Sequence, residues 1–477
     1  MRLFILVAGD FSHGFNRGDA EFTEERGEIS ELSKTLRFSA ISASLRWSPS
    51  RKLDTTTLFG RLIIASFFAL FKYEHIGNPE EPEEIAVIRY LTAGESHGQA
   101  LVGVIEGIPA GLSISADYIN HQLWRRQQGY GRGGRMRIES DTVEILSGVR
   151  FGKTIGSPIS LLIRNKDWQN WTQKMAIDGD GRSIEKISIP RPGHVDFAGA
   201  HKYAFDDIRN TIERGSARET AMRVACCTIA RKLLENFGIF IGSHVLSIGQ
   251  VKLADRTKID RLIRKLATAS CGAYKTTEEA DKSEVRILDE AVSKRAIALI
   301  KRTKKLGDTL GGVFEILVTG APIGLGSYVH YDRKLDGLFA QAIMSIHAVK
   351  GVEIGSGFSN AAEFGSNVHD GFDVRTGNVM RTSNKAGGLE GGVTNGEMIV
   401  LHAAMKPIST LANPLQSIDL KKMKSISARY ERSDVCAVPA CSVIGEAVIA
   451  PVLANAFLEK FGGDSVKEIR SRYKKPG

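Results

Sequence analysis

Short glycine-rich runs constrain this chain more than any other sequence feature, because they fix where the backbone turns tightly or approaches another group closely. The chain has 49 glycines among 477 residues. They cluster in runs such as 129–134 and 387–396 and follow no fixed period, which excludes a collagen-like repeat. The runs therefore predict tight loops around a ligand site in a globular protein.

Strand and helix patterns fill the segments between the glycine runs from residue 88 onward. Apolar and polar residues alternate over Ala100 to Glu106, which predicts a strand. Further strands are predicted over Thr142 to Leu146, Ser160 to Ile163 and Val313 to Thr319, and helices over Ala217 to Phe237, Asp289 to Lys305 and Ser442 to Phe461. No G-x-G-x-x-G run follows a strand, so the pattern favours an α+β fold over a Rossmann fold.

Local signals predict where two of these helices begin, end or bend. Ser216 and Glu219 have the spacing of a capping box, which predicts a helix start at Ala217, and Gly238 is placed to end that helix. Pro451 lies inside the apolar segment Ser442 to Phe461, which predicts a buried helix that is kinked or broken there.

The first 87 residues differ from the rest, with scattered charge and few periodic elements. Their apolar stretch, Leu58 to Phe71, contains Arg61 and is too short to cross a bilayer comfortably. It also lies far from the N-terminus for a signal peptide. We therefore expect no membrane span, and we expect the regular part of the chain to begin near Ile88.

Charge and cysteine usage narrow the partners and the compartment. The 64 basic and 54 acidic residues give a net charge of +10, which favours nucleic acid, an acidic membrane surface or a phosphorylated small molecule as partner. The five cysteines form no C-x-x-C pair and leave an odd count, so neither a zinc site nor a disulfide framework is indicated. A reducing cytoplasm fits this composition.

Two glycine-flanked segments carry the first candidate chemistry. His97 lies in the turn Thr92 to Gly98, where its imidazole could exchange protons near neutral pH; a merely solvated histidine is the alternative. The segment Arg125 to Arg137 contains five arginines and four glycines, which predicts a clamp for phosphate. The alternative for this segment is an exposed stretch that binds RNA loosely.

Two more segments add a second histidine, a second anion site and a flat surface for a ligand. His194 follows Arg191, and Arg214 precedes Ser216 at the predicted helix start, where free N–H groups favour an anion; an ordinary N-cap is the alternative. Paired glycines flank Glu390, which indicates backbone packed against a flat or bulky ligand. The remaining polar segments of this kind are 351–357, 406–410 and 431–436.

Taken in order, these segments resemble those of the chorismate synthase family from Ile88 to about Asp464. The matching segments read GESHG, RRQxGYGRGGRM, RPGH, RxSARET, GVEIG, GGxEGG, MKPI and RSDxC. The resemblance implies a carbon–oxygen lyase of aromatic amino acid biosynthesis that eliminates phosphate in a 1,4-anti sense from 5-enolpyruvylshikimate 3-phosphate. It also implies reduced FMN without net redox change, a large single-domain β-α-β sandwich with an internal pseudo-repeat, and a homotetramer. Residues 1–87 have no counterpart in the family, so the resemblance implies a catalytic domain over residues 88–477 preceded by an N-terminal extension, either disordered or translated from an upstream region.

The resemblance assigns roles to individual residues. His97, His194 and Asp434 match the catalytic positions, the two histidines for proton management and the carboxylate for proton removal through flavin N5. The flavin contacts match Arg214, Gly215, Ser216, His347, Ala348, Gly391, Lys406, Pro407, Ile408, Ser409, Thr410 and Arg432. Arg126 and Arg132 match NADPH positions, although the clamp argument lets them hold substrate phosphate. His347 departs from the family, which usually has an amide side chain there.

Two other functions are compatible with the same residues. A basic RNA-binding protein would use the segment Arg125 to Arg137, and an NADPH-dependent flavin reductase would turn over without the phosphorylated substrate. The residues also leave open whether the chain reduces its own FMN or depends on a separate reductase. We expect no nucleic acid and no membrane as partner.

Overall fold

The computed structural model describes residues 88–133, 140–253, 255–267, 271–375, 377–431 and 433–473, all within the unit Glu83–Gly477. The predicted flavin contact Arg432, the clamp residues Arg135 and Arg137, and the extension 1–87 lie outside the described residues. Helices and strands are mixed along the rest of the chain, as an α+β fold requires.

Four of the described strands coincide with predicted ones. They are β1 Arg89–Ala93, β2 Ala100–Glu106, β3 Val143–Ile145, β4 Val149–Arg150, β5 Lys153–Thr154, β6 Ile159–Arg164, β7 Phe240–Ile248, β8 Val251–Lys252, β9 Gly312–Thr319, β10 Val349–Ile354, β11 Phe372–Arg375, β12 Asn378–Arg381, β13 Leu389–Glu390, β14 Val393–Thr394, β15 Ile399–Met405, β16 Gln416–Asp419 and β17 Lys424–Ser427. The predicted strand Ala100 to Glu106 is confirmed at both ends, and the other three predicted segments coincide with β3, β6 and β9.

The helices include the three predicted ones. They are α1 Ala116–Gln127, α2 Asp196–Lys202, α3 Arg209–Arg214, α4 Thr220–Asn236, α5 Thr257–Ala267, α6 Gly272–Asp281, α7 Glu290–Lys305, α8 Leu335–Met344, α9 Gly357–Asn360, α10 Gly365–Val368, α11 Val438–Phe461 and α12 Val466–Arg472, with short 3-10 turns at Trp168–Asn170, Ala217–Glu219 and Tyr331–Arg333. The predicted helix over Asp289 to Lys305 is confirmed, with the Asp289 side chain capping α7.

Two antiparallel sheets organise the described residues. The first has the strand order β1-β2-β6-β3, and the second has the order β10-β15-β9-β7-β8. Helix α4 packs on β2 and β6, while α11 packs on α4 and on β7 and β9. One hydrophobic core therefore includes residues of both sheets and of the two helices.

Two glycines allow the helices to approach the sheets closely. A β-carbon at Gly103 on β2 would lie 2.5 Å from the Cys226 Sγ of α4. A β-carbon at Gly445 on α11 would lie 2.8 Å from the side chains of Phe314 and Ile316 on β9. Larger residues at either position would push a helix away from its sheet.

Helix α11 differs from the prediction in its start and in its continuity. It begins at Val438, earlier than the predicted Ser442, and runs unbroken through Pro451, so the predicted break is wrong. Proline removes one helix hydrogen bond, and burial of nearly the whole helix offsets that loss. In length and composition this helix resembles a membrane span, but 89% of its most apolar window is buried inside the fold.

The start of α4 also differs from a simple capping box. Ser216 accepts a hydrogen bond from the backbone N–H of Arg218, as an N-cap should, but the first turn is a 3-10 turn and the α-helix begins at Thr220. The Glu219 carboxylate accepts a hydrogen bond from the Thr92 hydroxyl (2.8 Å). This contact ties the helix start to the end of β1.

A buried ionic cluster lies on α11, centred on Glu446. Its carboxylate, which is fully buried, accepts hydrogen bonds from Arg125 (2.7 and 2.8 Å), Arg231 (2.6 Å) and Arg286 (3.1 Å). The structure thus corrects the expectation that Arg125 belongs to a phosphate clamp, because its guanidinium is committed to Glu446 and to Asp281 (2.7 Å). Arg125 lies on helix α1 and not in the glycine loop.

Four side chains alternate across neighbouring strands of the second sheet, and we call them the histidine–glutamate row. Glu315 on β9 contacts His244 on β7 (2.7 Å) and His402 on β15 (2.7 Å), and His402 contacts Glu353 on β10 (2.9 Å). Arg256 also pairs with Glu315. Burial opposes ionisation of Glu315, but the hydrogen bonds and charges of the two histidines and of Arg256 hold the pKa of this carboxyl well below its usual range.

Candidate active site

His97 lies in the turn between β1 and β2, against helix α3. Its backbone N–H donates to Glu213 Oε2 (2.8 Å), and its ring Nδ1 lies 3.0 Å from both carboxylate oxygens of Glu213. Trp171 stacks on the imidazole with ring centroids 3.7 Å apart. The loop histidine is therefore held on its edge and on one face, which a merely solvated side chain would not be.

The segment that precedes α4 contacts the same turn. Arg214 donates to the backbone carbonyls of Gly94 (3.0 Å) and Thr92 (2.8 Å), and the Ser216 hydroxyl donates to that of Ser96 (3.1 Å). The structure thus brings the predicted anion site at the helix start next to the His97 loop, although the Arg214 guanidinium is already engaged by carbonyl oxygens.

His194 lies beside a second buried carboxylate. Its Nδ1 is 2.5 Å from Asp196 Oδ1, and Arg191 binds the same carboxylate through Nε (2.8 Å) while its NH2 lies 3.1 Å from His194 Nδ1. Burial opposes ionisation of Asp196, but the bonds from His194 and Arg191 hold its pKa well below the usual range. A β-carbon at Gly215 would lie 3.7 Å from the His194 ring and 2.6 Å from Val195, so this position must stay a glycine.

The predicted flavin segment Lys406 to Thr410 lies next to His194. Lys406 Nζ donates to the Gly193 carbonyl (2.5 Å), and its backbone N–H donates to the Ala348 carbonyl (2.9 Å). Ile408 and Thr410 accept hydrogen bonds from Thr309 (2.6 Å) and Arg191 (3.3 Å). Pro407 and Ser409 belong to the same segment, and Ser409 Cβ lies 3.5 Å from a β-carbon built at Gly193.

His347 lies where the charges of several residues of this site act on it. Its Nδ1 is buried and has no hydrogen-bond partner among the described residues. Burial lowers the pKa of this histidine; the charge of Glu219 opposes that effect, and those of Arg223, His194 and Arg126 reinforce it. The ring is therefore neutral at neutral pH and can donate or accept one hydrogen bond.

Ala348 follows His347 in a left-handed conformation, with φ of 65°. Such a conformation is strained for a residue with a β-carbon. The hydrogen bond from the Lys406 backbone to the Ala348 carbonyl holds this turn in place.

The predicted clamp residue Arg126 is buried at the end of α1. It donates to Thr220 Oγ1 (2.8 and 3.0 Å) and to the Ala217 carbonyl (2.9 Å), and its NH1 lies 3.8 Å from Asp141. Burial lowers the pKa of Arg126 to about 10, with Asp141 opposing that effect, so its charge persists at neutral pH. The buried Arg126 guanidinium therefore adds positive charge to the site although it is not exposed at the protein surface.

Arg132 and Asp434 lie together at the edge of the glycine loop. Arg132 Nε is 3.3 Å from Asp434 Oδ2, and the backbone N–H of Gly133 donates to Asp434 Oδ1 (2.6 Å). The structure therefore joins the candidate catalytic carboxylate to the candidate clamp. The charges of both residues act on the pKa of Arg126, which Asp434 raises and Arg132 lowers.

Gly391 belongs to a different part of the fold. It forms, with Gly392, the two-residue turn between β13 and β14, at φ of 61° and 90°. Positive φ at both positions is the requirement of a type I′ hairpin. The described contacts of this hairpin include those with the loop of Gly326 and Tyr328, that of Gly392 with Leu335, and that of Glu390 with Arg381 on β12.

A pocket of about 330 Å³ opens beside His194. Its lining includes Arg191, Phe197, Ser417 and Ile418. It lies between the His194 loop and the β16–β17 hairpin and gives the imidazole access to a small ligand.

Sequence reasoning missed the carboxylates that hold the two histidines. Asp196 follows His194 by two residues, and that spacing was a usable signal. Glu213 and Trp171 lie far from His97 along the chain, and only the packing of α3 and of the Trp168–Asn170 turn brings them to it. No cluster of three or more metal-ligating side chains occurs among the described residues.

Comparison with known proteins identifies the family of this chain. A sequence profile of the chorismate synthase family matches residues 88–458. The chain belongs to the chorismate synthase family. It is 58% identical to a chorismate synthase of Chloroherpeton thalassium and 57% identical to one of Chlorobium luteolum, with 81% of this chain covered in both cases and 98% and 96% of the relatives.

A crystal structure of a chorismate synthase is also similar, with a TM-score of 0.64 and 43% sequence identity over 81% of this chain and 96% of the other. Membership of the chorismate synthase family makes the chain a lyase of the shikimate pathway that acts on 5-enolpyruvylshikimate 3-phosphate. The family is dependent on reduced flavin. This result takes precedence over the RNA-binding and flavin-reductase alternatives.

Proposed function

We propose that the chain eliminates phosphate from 5-enolpyruvylshikimate 3-phosphate in a 1,4-anti sense, as a carbon–oxygen lyase acting on phosphates, with FMN as its flavin. The observation that carries the proposal is the convergence of two histidine–carboxylate pairs, His97 with Glu213 and His194 with Asp196, next to buried arginines. Such a site combines proton transfer with anion binding.

The residues present fit a flavin. His347 offers a buried ring nitrogen that no described residue uses. Lys406 donates to the Gly193 carbonyl, Thr410 accepts from Arg191, and the Ala348 carbonyl accepts from the Lys406 backbone N–H. We propose that these residues hold the flavin together with Arg214, Gly215 and Ser216. Reduced FMN, when bound, supplies an electron-rich ring system for the elimination.

The chain's own residues supply proton control and charge. His97 Nδ1 lies 3.0 Å from the buried Glu213 carboxylate and His194 Nδ1 lies 2.5 Å from that of Asp196, so each imidazole is held at one nitrogen and transfers protons at the other. Arg132, with Arg126 behind it, presents positive charge to the leaving phosphate. Asp434, whose Oδ1 accepts the Gly133 N–H, is the carboxylate that we assign to proton removal. We propose the same roles for Gly391 and Arg432 that the family resemblance implies.

An anaerobic assay tests this proposal. Full-length protein, chemically reduced FMN and 5-enolpyruvylshikimate 3-phosphate should give chorismate, which is followed by its absorbance. Repeating the assay with NADPH and oxidised FMN determines whether NADPH is the reductant of this chain or a separate flavin reductase is required. Salt-sensitive RNA binding without any bound flavin would contradict the proposal.

We further propose a homotetramer of single-domain β-α-β sandwiches with an internal pseudo-repeat, working in the cytoplasm. One core that includes both sheets and two helices supports the sandwich. Large apolar side chains exposed by 69% to 81%, among them Phe358, Phe364 and Phe372, support burial between subunits. Light scattering that gives the mass of one chain would contradict the tetramer.

A further inference from the structure

Glu213 contacts two different parts of His97 with a single carboxylate. Oε2 accepts the backbone N–H (2.8 Å), and both oxygens lie 3.0 Å from the ring Nδ1. Because one rigid carboxylate binds both the main chain and the ring, it restricts the rotation of the side chain about both of its torsions. It also requires a proton on Nδ1, so the ring exchanges protons with a ligand through Nε2.

Trp171 constrains the face of the His97 ring, whereas Glu213 constrains its edge. The indole stacks on the imidazole at 3.7 Å with an interplanar angle of 22°, and Asp167 anchors the indole N–H at 2.8 Å. Arg209 lies 5.2 Å over the same indole and 3.4 Å from Glu213 Oε1. Glu213 thus holds the edge of the imidazole and Trp171 holds its face, and Arg209 contacts both of these residues.

Glu213 is charged in its buried position. Its side chain is fully buried, and burial opposes ionisation, but the hydrogen bonds and charge of His97 and the charge of Arg209 outweigh burial and lower the pKa of the carboxyl. As an anion, the carboxylate can only accept a hydrogen bond from the ring Nδ1 and cannot donate one to it.

We infer that Glu213 is the positioning residue of His97, with Trp171 as its partner on the ring face. Together they select the Nδ1–H tautomer and fix the ring plane. The inference rests on the proposed catalytic role of His97.

The test is a double-mutant cycle with chemically reduced FMN. Glu213→Gln keeps the side-chain shape and removes the charge, and we expect it to lower kcat by about tenfold to a hundredfold, as is common for carboxylates that orient a histidine, with little change in KM. In the His97→Ala background the same substitution should have no further effect, because Glu213 acts through the ring.

The tautomer of His97 separates positioning from a purely structural role. The side-chain amide in Glu213→Gln can present either its oxygen or its N–H to the ring and so no longer imposes the Nδ1–H form, and the nitrogen NMR signals of the His97 ring should move towards those of the other tautomer. Glu235→Gln, which removes another largely buried carboxylate that pairs with an arginine at 3.1 Å, is the matched control and should leave the ring signals unchanged.

Trp171 provides a second variant if Glu213→Gln folds poorly. Trp171→Ala should lower kcat only when His97 is present, and Trp171→Phe should restore most of the loss by returning a ring to that face. If Glu213→Gln and Trp171→Ala each lower kcat by the same factor in the wild-type background and in the His97→Ala background, the inference is overturned. A fully active His97→Ala variant overturns the proposed role of His97 first, which is a distinguishable result.

Discussion

The buried cluster at Glu446 allows a quantitative prediction about stability. Glu446→Gln removes a charge that three arginines share, and it leaves Arg125, Arg231 and Arg286 facing one another in the core. Removing one partner of a buried ion pair typically costs about 3–5 kcal/mol. With about 2.1 cal/mol/K of unfolding entropy per residue over residues 88–473, that loss lowers Tm by about 4–6 °C.

The chain contains a matched control. Glu144 and Arg164 form a pair at 2.7 Å, the same distance as Glu446 and Arg125, but with side-chain exposures of 47% and 65% against 0% and 2%. An exposed pair contributes about 0–1 kcal/mol. Glu144→Gln should therefore change Tm by little more than 1 °C in the same calorimetric scan. Equal shifts in the two variants would refute the argument from burial.

The pH dependence of the same cluster has a defined sign. Burial opposes ionisation of Glu446, but its arginine partners hold the pKa of its carboxyl far below the usual range. A carboxyl with a lowered folded-state pKa stabilises the fold above the unfolded-state value of about 4.3 and loses that contribution as the pH falls towards the folded-state value. The Tm difference between wild type and Glu446→Gln should thus be constant near neutral pH and shrink in strong acid.

Three further outcomes test the site. His97→Ala and His194→Ala should each lower turnover by about a hundredfold to ten-thousandfold with the fold intact, since both lie in polar loops, and wild-type rates in both would show the assignment to be wrong. Deletion of residues 1–87 should leave flavin binding and activity unchanged; an inactive or insoluble truncated chain, with an active full chain, would contradict this. Arg126→Ala and Arg132→Ala should lower turnover with chemically reduced FMN, and normal turnover at limiting substrate would instead favour the NADPH role.

The parts of the fold with strong local periodicity were predictable from sequence. Ala100 to Glu106 alternates cleanly and forms β2, and Asp289 caps α7 as its residue type suggests. Helix α11 shows the limit, because an unbroken helix through Pro451 depends on burial that no local signal reports. The candidate histidines were found from their glycine neighbours.

The groups that hold those histidines were harder to predict. Glu213 follows His97 by more than a hundred residues, so its role depends on how α3 packs and not on spacing. Arg125 and Arg126 look equivalent in the sequence, yet α1 directs the first to Glu446 and the second to Thr220. Neighbours on a helix point in different directions, which a loop interpretation of this segment could not separate.

The histidine–glutamate row bears on how the second sheet finds its pairing. A sheet with alternating hydrophobicity tolerates a slip of two residues, because each side chain stays on its own face. Such a slip between β9 and β15 would move Glu315 from His402 to a place opposite Val400 or Ala404. The shifted pairing would remove the hydrogen bond between Glu315 and His402 and leave the buried Glu315 carboxylate with one partner fewer. The histidine–glutamate row thus disfavours shifted pairings that the hydrophobic pattern alone permits, and so helps to set the register of the sheet.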